Sequence, residues 1–305
     1  MILTVTPNAA LDVSYHLPEL RPGEENRVRS VRERAGGKGV NVARVLHALG
    51  EPVLAAGLAG GLTGRRIRDE LAASGVPEAL TEVTAESRRT VAVVATERGE
   101  ATGLWEPGAE VAAGEWTRFR AAYRELLART RAVALCGSLP PGAPGDAYAQ
   151  LGADARAAGV PWLLDADGEA LAAGLAAGPD LVKPNAAELR RVAGDGDGEL
   201  AGAERLLALG ARAVVVSLGA EGMLAVTPEG AWRAAPPRVV HGNATGAGDA
   251  AVAALSRGVA RGLPWQDRVR DAVALSAAAV ASPVAGGYDA GVYEELRPRV
   301  RVDPL

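Results

Sequence analysis

Cysteine, histidine and phenylalanine are nearly missing from this chain of 305 residues, which holds one, three and one of them. A single cysteine excludes a disulfide within the chain. Cys136 follows the apolar run Ala132-Val133-Ala134-Leu135 and reads as a buried thiol. The histidines His16, His47 and His241 pair with no cysteine or carboxylate at ligand spacing, and no Gly-x-Ser-x-Gly elbow occurs, so zinc chemistry and serine hydrolysis are unsupported. Charge of one sign is also lacking. A net charge of -4 leaves no nucleic-acid footprint. No run approaches the 18 or more uncharged apolar residues of a membrane span, and Met1 to Thr6 lack the basic flank of a secretion signal, so a cytoplasmic protein with no membrane partner is expected. Two nucleotide fingerprints are absent as well. No Gly, four residues, Gly-Lys-Ser/Thr string exists, and Ala250 to Val252 supply no third glycine for a dinucleotide loop, so a phosphate donor, if there is one, is held in another way.

What is present is a chain 48% hydrophobic, able to bury one large core or two ordinary ones, and rich in Ala, Gly and Arg in the manner of a high-GC genome. Apolar runs at Ile2–Thr6, Val53–Leu58, Ala132–Cys136, Trp162–Asp165, Leu181–Lys183 and Val214–Ser217 read as buried strands. Helical patterns separate them at Val40–Leu49, Arg65–Ala73, Pro144–Ala158, Ala186–Val192, Leu200–Leu209, Gly248–Arg261 and Trp265–Ser282. Strands that are apolar throughout and divided by helices predict a doubly wound α/β fold with a mostly parallel sheet covered on both faces. Two stretches break this rhythm: residues 12–34, and a hairpin of Thr90–Val94 and Ala101–Trp105 turning through Arg98-Gly99-Glu100. These segments, about 12–34 and 88–106, predict a small inserted sheet serving as a lid or as a pairing surface for a second subunit, on one domain spanning 1–305. The run 194–198, Gly-Asp-Gly-Asp-Gly, reads as a flexible surface loop.

The most informative stretch is Gly242-Asn243-Ala244-Thr245-Gly246-Ala247-Gly248-Asp249, running into an Ala-rich helix. Its glycines let backbone N–H groups gather on one side, and the helix N-terminus adds unpaired amides and a positive dipole end. An aspartate closing an anion hole repels a passive phosphate. It makes sense where Asp249 must take a proton from an attacking hydroxyl, although a helix-entry role near the N-cap accounts for the residue too.

Other candidates sit at strand ends. Gly36-Gly37-Lys38-Gly39-Val40-Asn41 lets a polar ligand approach the backbone, with charge from Lys38 and a donor and acceptor from Asn41. Asp12, after the Pro7-Asn8-Ala9-Ala10 turn, falls at the carboxyl edge where open α/β sheets place ligands. Arg27, Arg29, Arg88 and Arg89 form an anion-binding cluster only if the two inserted segments fold over one cleft. Lys183-Pro184-Asn185 with Glu188 either orients waters on Mg²⁺ or forms a helix capping box. Ser217 to Gly222 suits a nucleotide-lining turn or a hairpin.

The motifs Thr4-Val5-Thr6-Pro7-Asn8 with Asp12, Gly36 to Ala43, Gly137-Ser138-Leu139-Pro140-Pro141-Gly142, Lys183-Pro184-Asn185 with Glu188, and Thr245-Gly246-Ala247-Gly248-Asp249 occur in one order. With them the chain resembles the ribokinase-like, phosphofructokinase B family of carbohydrate kinases over essentially its whole length. Ser14-Tyr15, Gly23-Glu24 and Asn26-Arg27-Val28 look most like the 1-phosphofructokinase and tagatose-6-phosphate kinase branch. The resemblance implies ATP and Mg²⁺ as cofactors and a phosphorylated ketohexose as substrate: fructose 1-phosphate, fructose 6-phosphate or tagatose 6-phosphate. It implies Asp249 as base and the amides of Gly246, Ala247 and Gly248 as anion hole. Asp12, Gly37, Lys38, Asn41 and Ser138 would hold the sugar, and Arg27, Arg29 and Arg89 its phosphate. Lys183, Asn185, Ser217, Gly219, Gly222 and Thr245 would line the ATP site, Asn185 and Glu188 would organise Mg²⁺, and the lid would pair two subunits into a homodimer. Three departures bear on specificity: Arg88-Arg89-Thr90 stands where this branch often reads Thr-Arg-Asn, Thr245 and Ala250 flank the last motif where valine and serine are common, and Ser282 to Tyr288 matches only loosely. A kinase for an unphosphorylated sugar or nucleoside, and a non-catalytic sensor of sugar phosphate or ATP, remain the alternative readings.

Overall fold

The computed structural model describes residues 1–194, 196 and 198–305. Asp195 and Asp197, inside the expected surface loop, lie outside the described residues. The first third of the chain runs β1 (Ile2–Thr6), β2 (Ala10–Leu17), β3 (Ser30–Gly36), α1 (Lys38–Ala48), β4 (Val53–Gly60), α2 (Gly61–Ala73), β5 (Glu78–Val83), β6 (Arg88–Ala95) and β7 (Glu100–Trp105). The middle third continues with α3 (Ala113–Leu127), β8 (Ala132–Cys136), α4 (Ala147–Ala157), β9 (Trp162–Asp165), α5 (Gly168–Leu175), β10 (Leu181–Val182), α6 (Ala186–Ala193) and α7 (Glu199–Ala208). The last third adds β11 (Val214–Ser217), β12 (Met223–Thr227), β13 (Gly230–Ala235), α8 (Ala247–Ala260), α9 (Trp265–Val280), α10 (Ala290–Leu296) and β14 (Arg301–Pro304).

The large sheet has the order β14-β13-β12-β11-β10-β9-β8-β1-β4-β5. It is parallel from β11 to β5 and antiparallel where β12, β13 and β14 extend its edge. Alternate residues of each strand enter different cores. Leu3, Val5, Leu54, Val133, Leu135 and Leu164 meet the buried faces of α3, α4 and α5, whereas Ile2, Val53, Ala55, Ala134 and Leu163 meet those of α1, α8 and α9. Covering both faces is what allows strands without a polar residue to stay buried. The second layer is built of alanine: Ala250, Ala251, Ala253 and Ala254 of α8 and Ala272, Ala274, Ala278 and Ala279 of α9 are all buried.

The expected lid exists as a separate four-stranded sheet, β3-β2-β6-β7. It is mixed: β2 pairs with β6 in parallel, and the outer pairs are antiparallel. Leu11, Val13 and Ala35 on one of its faces join the core that includes Ile67 and Leu71 of α2. Because neighbouring strand residues point to opposite faces, Asp12, directly opposite Thr90, lies on the face that α2 leaves open. Among the described residues no helix is long and apolar enough to cross a membrane.

Candidate active site

All the parallel strands end on the same edge, and the polar residues gather there: Asn8 beyond β1, Ser138 beyond β8, Asp165 ending β9, Lys183 beyond β10 and Ser217 ending β11. The N-termini of α1 and α8 point at the same edge. Gly246 is the N-cap of α8 with φ +87, a left-handed conformation that favours glycine, and a Cβ there would lie 3.0 Å from Ala285 Cα. This turn frees the amides of Gly246, Gly248 and Asp249, which make no hydrogen bond among the described residues. Ala247, expected to join them, instead donates its N–H to Ala244 O at 3.2 Å because the tight turn folds it back.

Asp249 stands in the first turn of α8, 7% exposed. Asn41 Nδ2 donates to its Oδ2 at 2.8 Å. Burial, followed by the negative charge of Asp165, pushes its pKa up to about 7, although the Asn41 bond, Lys38 and Lys183 work the other way. A buried carboxylate with that pKa beside free amides accepts a proton near neutral pH instead of remaining permanently charged.

Asp165 is the anchor of the cations. Its Oδ1 lies 3.3 Å from Lys38 Nζ and 3.4 Å from Lys183 Nζ, and its side chain is 2% exposed. Lys38 also reaches Glu188 Oε1 at 3.8 Å. Burial opposes the charge of Lys38, but Asp165, Glu188 and Asp249 outweigh it and raise its pKa. Lys183 runs over the first turn of α8, where a Cβ on Gly248 would meet its Nζ at 3.6 Å.

Asn185 and Glu188 form the capping box. Asn185 Oδ1 accepts from the N–H groups of Ala187 and Glu188, and Glu188 Oε2 accepts from Asn185 N–H, each at 2.9 Å. Two backbone N–H groups thus occupy the amide oxygen, so any water on Mg²⁺ that Asn185 orients would have to be held through its Nδ2. Glu188 Oε1 and Asp165 remain facing the lysines. Two carboxylates fit Mg²⁺, which keeps most of its waters and borrows phosphate oxygens.

On the lid side, Thr90 donates its hydroxyl to Asp12 Oδ1. Burial raises the pKa of Asp12 against this bond and the charges of Arg88, Arg34 and Arg44. Arg88 Nε donates to Asn8 O at 3.1 Å, and Asn8 Nδ2 donates to Ser138 Oγ at 3.1 Å. Arg88 therefore shares a corner with Ser138 and the face of Asp12. Arg89 does not: strand alternation turns it to the other face, where it meets Glu106 Oε1 at 3.2 Å. Arg27 and Arg29 are exposed and lie elsewhere. The Arg29 N–H bonds His16 O, whereas Arg88 is opposite Ala10, which separates them by roughly 20 Å along β2. Within one chain the expected arginine cluster does not form.

At the other rim, Thr245 N–H bonds Asn243 Oδ1 at 3.0 Å. Gly219 (φ +61) and Gly222 (φ +89) make the turn joining β11 to antiparallel β12, the hairpin alternative for this stretch. A Cβ on Gly222 would strike Ala234 O at 2.0 Å.

A profile of pfkB carbohydrate kinases matches residues 8–288. The chain belongs to the pfkB family of carbohydrate kinases. Its fold is that of phosphofructokinase-2 from Escherichia coli, solved in complex with potassium, at 30% identity and a TM-score of 0.93 over 98% of both chains. That protein has also been solved with fructose-6-phosphate and in a tetrameric inhibited form. A Thermotoga maritima protein named as a possible 1-phosphofructokinase shares the fold at 24% identity and a TM-score of 0.88, covering 100% of this chain and 99% of that one. Ribokinase from Arabidopsis thaliana, solved with ribose and ATP, does so at 22% and 0.76, covering 97% and 98%.

As a pfkB kinase the chain is an enzyme, and of the residues that the structure gathers at this edge the sequence reading does not name Asp165 as a candidate and sets Arg88 behind Arg89. Asp165 was hidden as the last residue of an apolar strand. A lone carboxylate at such a strand end, on the ligand edge of a parallel sheet, was the available signal. Arg88 was passed over for Arg89, and the period-two register with Asp12 would have separated them.

Proposed function

We propose that this pfkB kinase transfers the γ-phosphoryl group of ATP to a hydroxyl of a phosphorylated ketohexose, with Asp249 as general base. The observation that carries the reading is Asp249 itself, buried, held by Asn41 and set among free amides with a pKa pushed up to about 7. The substrate hydroxyl loses its proton to Asp249 as its oxygen bonds the γ-phosphorus, and the bond from that phosphorus to the β-phosphate oxygen breaks. The amides of Gly246 and Gly248, with Lys183 and Lys38, stabilise charge on the transferred group. Glu188 and Asp165 would hold Mg²⁺, which supplies charge neutralisation across the phosphates. Asp12, Gly37 and Asn41 hold the sugar, and Arg88 with Ser138 receives its phosphate. Thr245, Ser217, Gly219 and Gly222 border the nucleotide.

The phosphate assignment is supported by the Arg88–Asn8–Ser138 corner and by the fructose-6-phosphate complex of the Escherichia coli relative. A homodimer through the lid is part of the same reading. Val31 and Leu104, 54% and 58% exposed, leave an apolar margin on the lid face beyond α2. The deciding experiment is MgATP-dependent ADP release with fructose 1-phosphate, fructose 6-phosphate, tagatose 6-phosphate, free ketohexoses, ribose and nucleosides. Turnover of one phosphorylated ketose is expected. Activity confined to an unphosphorylated compound overturns the substrate class, and ATP binding without turnover overturns catalysis.

A further inference from the structure

Trp105 is the most exposed large apolar side chain of the protein's described residues, at 78%. It ends β7 directly opposite Thr90 of β6, and Thr90 is directly opposite Asp12 of β2. Residues in line across neighbouring strands share a face. The indole is thus on the open face that carries Asp12, Thr90 and Arg88, not on the face that packs on α2. It also has a seat: Gly103, two residues earlier on the same face, leaves the room the ring occupies, since a Cβ there would lie 3.1 Å from Trp105 Cζ2. Adjacent strands stand about 4.8 Å apart, so the backbones of Trp105 and Asp12 lie roughly 10 Å apart on that one face, with only Thr90 between them.

We propose that Trp105 is a specificity-determining residue, an aromatic wall of the sugar subsite whose flat apolar face covers the C–H side of the acceptor sugar while Asp12 and Thr90 hold its hydroxyls and Arg88 its phosphate. An indole loses little conformational freedom on binding and is well suited to a ligand that is wet on one side and apolar on the other. The inference deepens the proposed function and rests on the sugar binding at Asp12.

The test combines kinetics with fluorescence. Wild type, Trp105→Phe and Trp105→Ala are compared on the phosphorylated ketose that the wild type turns over. Trp105→Ala is expected to raise KM for the sugar roughly three- to tenfold, with KM for ATP within twofold, and Trp105→Phe to restore most of the loss. Titrating that same sugar without ATP is expected to shift wild-type tryptophan emission to the blue, a change absent from both variants. Unchanged sugar KM in Trp105→Ala, or an emission shift that survives in Trp105→Phe, overturns the inference while leaving the kinase reading intact. A blue shift that follows protein concentration instead of sugar would place Trp105 in a subunit contact and also overturn it. If the wild type turns over no phosphorylated ketose, the kinase reading fails first, and this inference with it.

Discussion

Asn41 and Asp249 are 208 positions apart in the chain, yet the amide of one donates to the carboxylate of the other at 2.8 Å. The bond favours the charged form of Asp249, and burial with the nearby Asp165 favours the neutral form. The balance lies near neutrality, so small changes around this pair move it across the working pH.

The rate of the free enzyme, kcat/KM, is expected to rise with pH along a limb centred near 7, as Asp249 must be ionised to accept a proton. Asn41→Ala removes the contact that favours ionisation and should move the limb to higher pH. Asp165→Asn removes a like charge and should move it lower. Initial-rate profiles from pH 5.5 to 9 check both signs, and a limb indifferent to both changes would sink the assignment.

Asp249→Asn is predicted to lower turnover by about 10² to 10⁴ while ATP still binds, as read by calorimetry. The same change should stabilise the fold. The folded pKa is raised above the unfolded value of 3.8, so the stability of the wild type is complete below the unfolded value and is lost as pH rises through about 7. The neutral amide avoids this loss. Denaturant melts should show the variant ahead by roughly 2–4 kcal/mol at pH 8, with the gap narrowing by pH 5.5.

The two adjacent arginines should behave differently. Arg88→Ala is expected to raise KM for a phosphorylated sugar about 10- to 100-fold and for its unphosphorylated parent far less, consistent with a lost charge-assisted contact. Arg89→Ala, on the opposite face beside Glu106, should change either value less than threefold. Equal effects at the two positions would remove Arg88 from phosphate recognition.

Gly36→Ala would place a Cβ 1.9 Å from Asp12 Oδ2. The carboxylate has to swing away, so KM for the sugar should rise at least tenfold with KM for ATP nearly unchanged. A variant with normal sugar affinity would show that Asp12 does not hold the acceptor.

Leu104→Glu or Val31→Glu should convert a lid-paired dimer to monomers in sedimentation experiments, because a charge on that apolar margin cannot be desolvated without a partner. A mass independent of both substitutions would place any interface elsewhere.

The parallel core was legible because its strands are predominantly apolar and its helices keep an apolar period. The reading missed α3, although Trp116, Phe119, Tyr123 and Leu127 line its buried face. It also missed α5, β5 and the β12–β14 extension. There the segments are short or rich in alanine, and tertiary packing decides what local propensity leaves open. The loop ending in Asp249 was recognisable from glycine spacing and a following helix. What its neighbours do was not, because ion pairs such as Lys38 with Asp165 join a helix start to a distant strand end, and strand register sorts Arg88 from Arg89.

Gly286 presses on Asn41, where a Cβ would come within 2.9 Å of its Oδ1, and Gly246 presses on Ala285. The proposed base, its neighbouring amides and the segment packed on them therefore come late in the sequence, whereas Asp12, Lys38 and Asn41 come early. On the proposed reading the cleft is complete only where Asp249 of α8 meets Asn41 of α1, so the site draws on both ends of the chain.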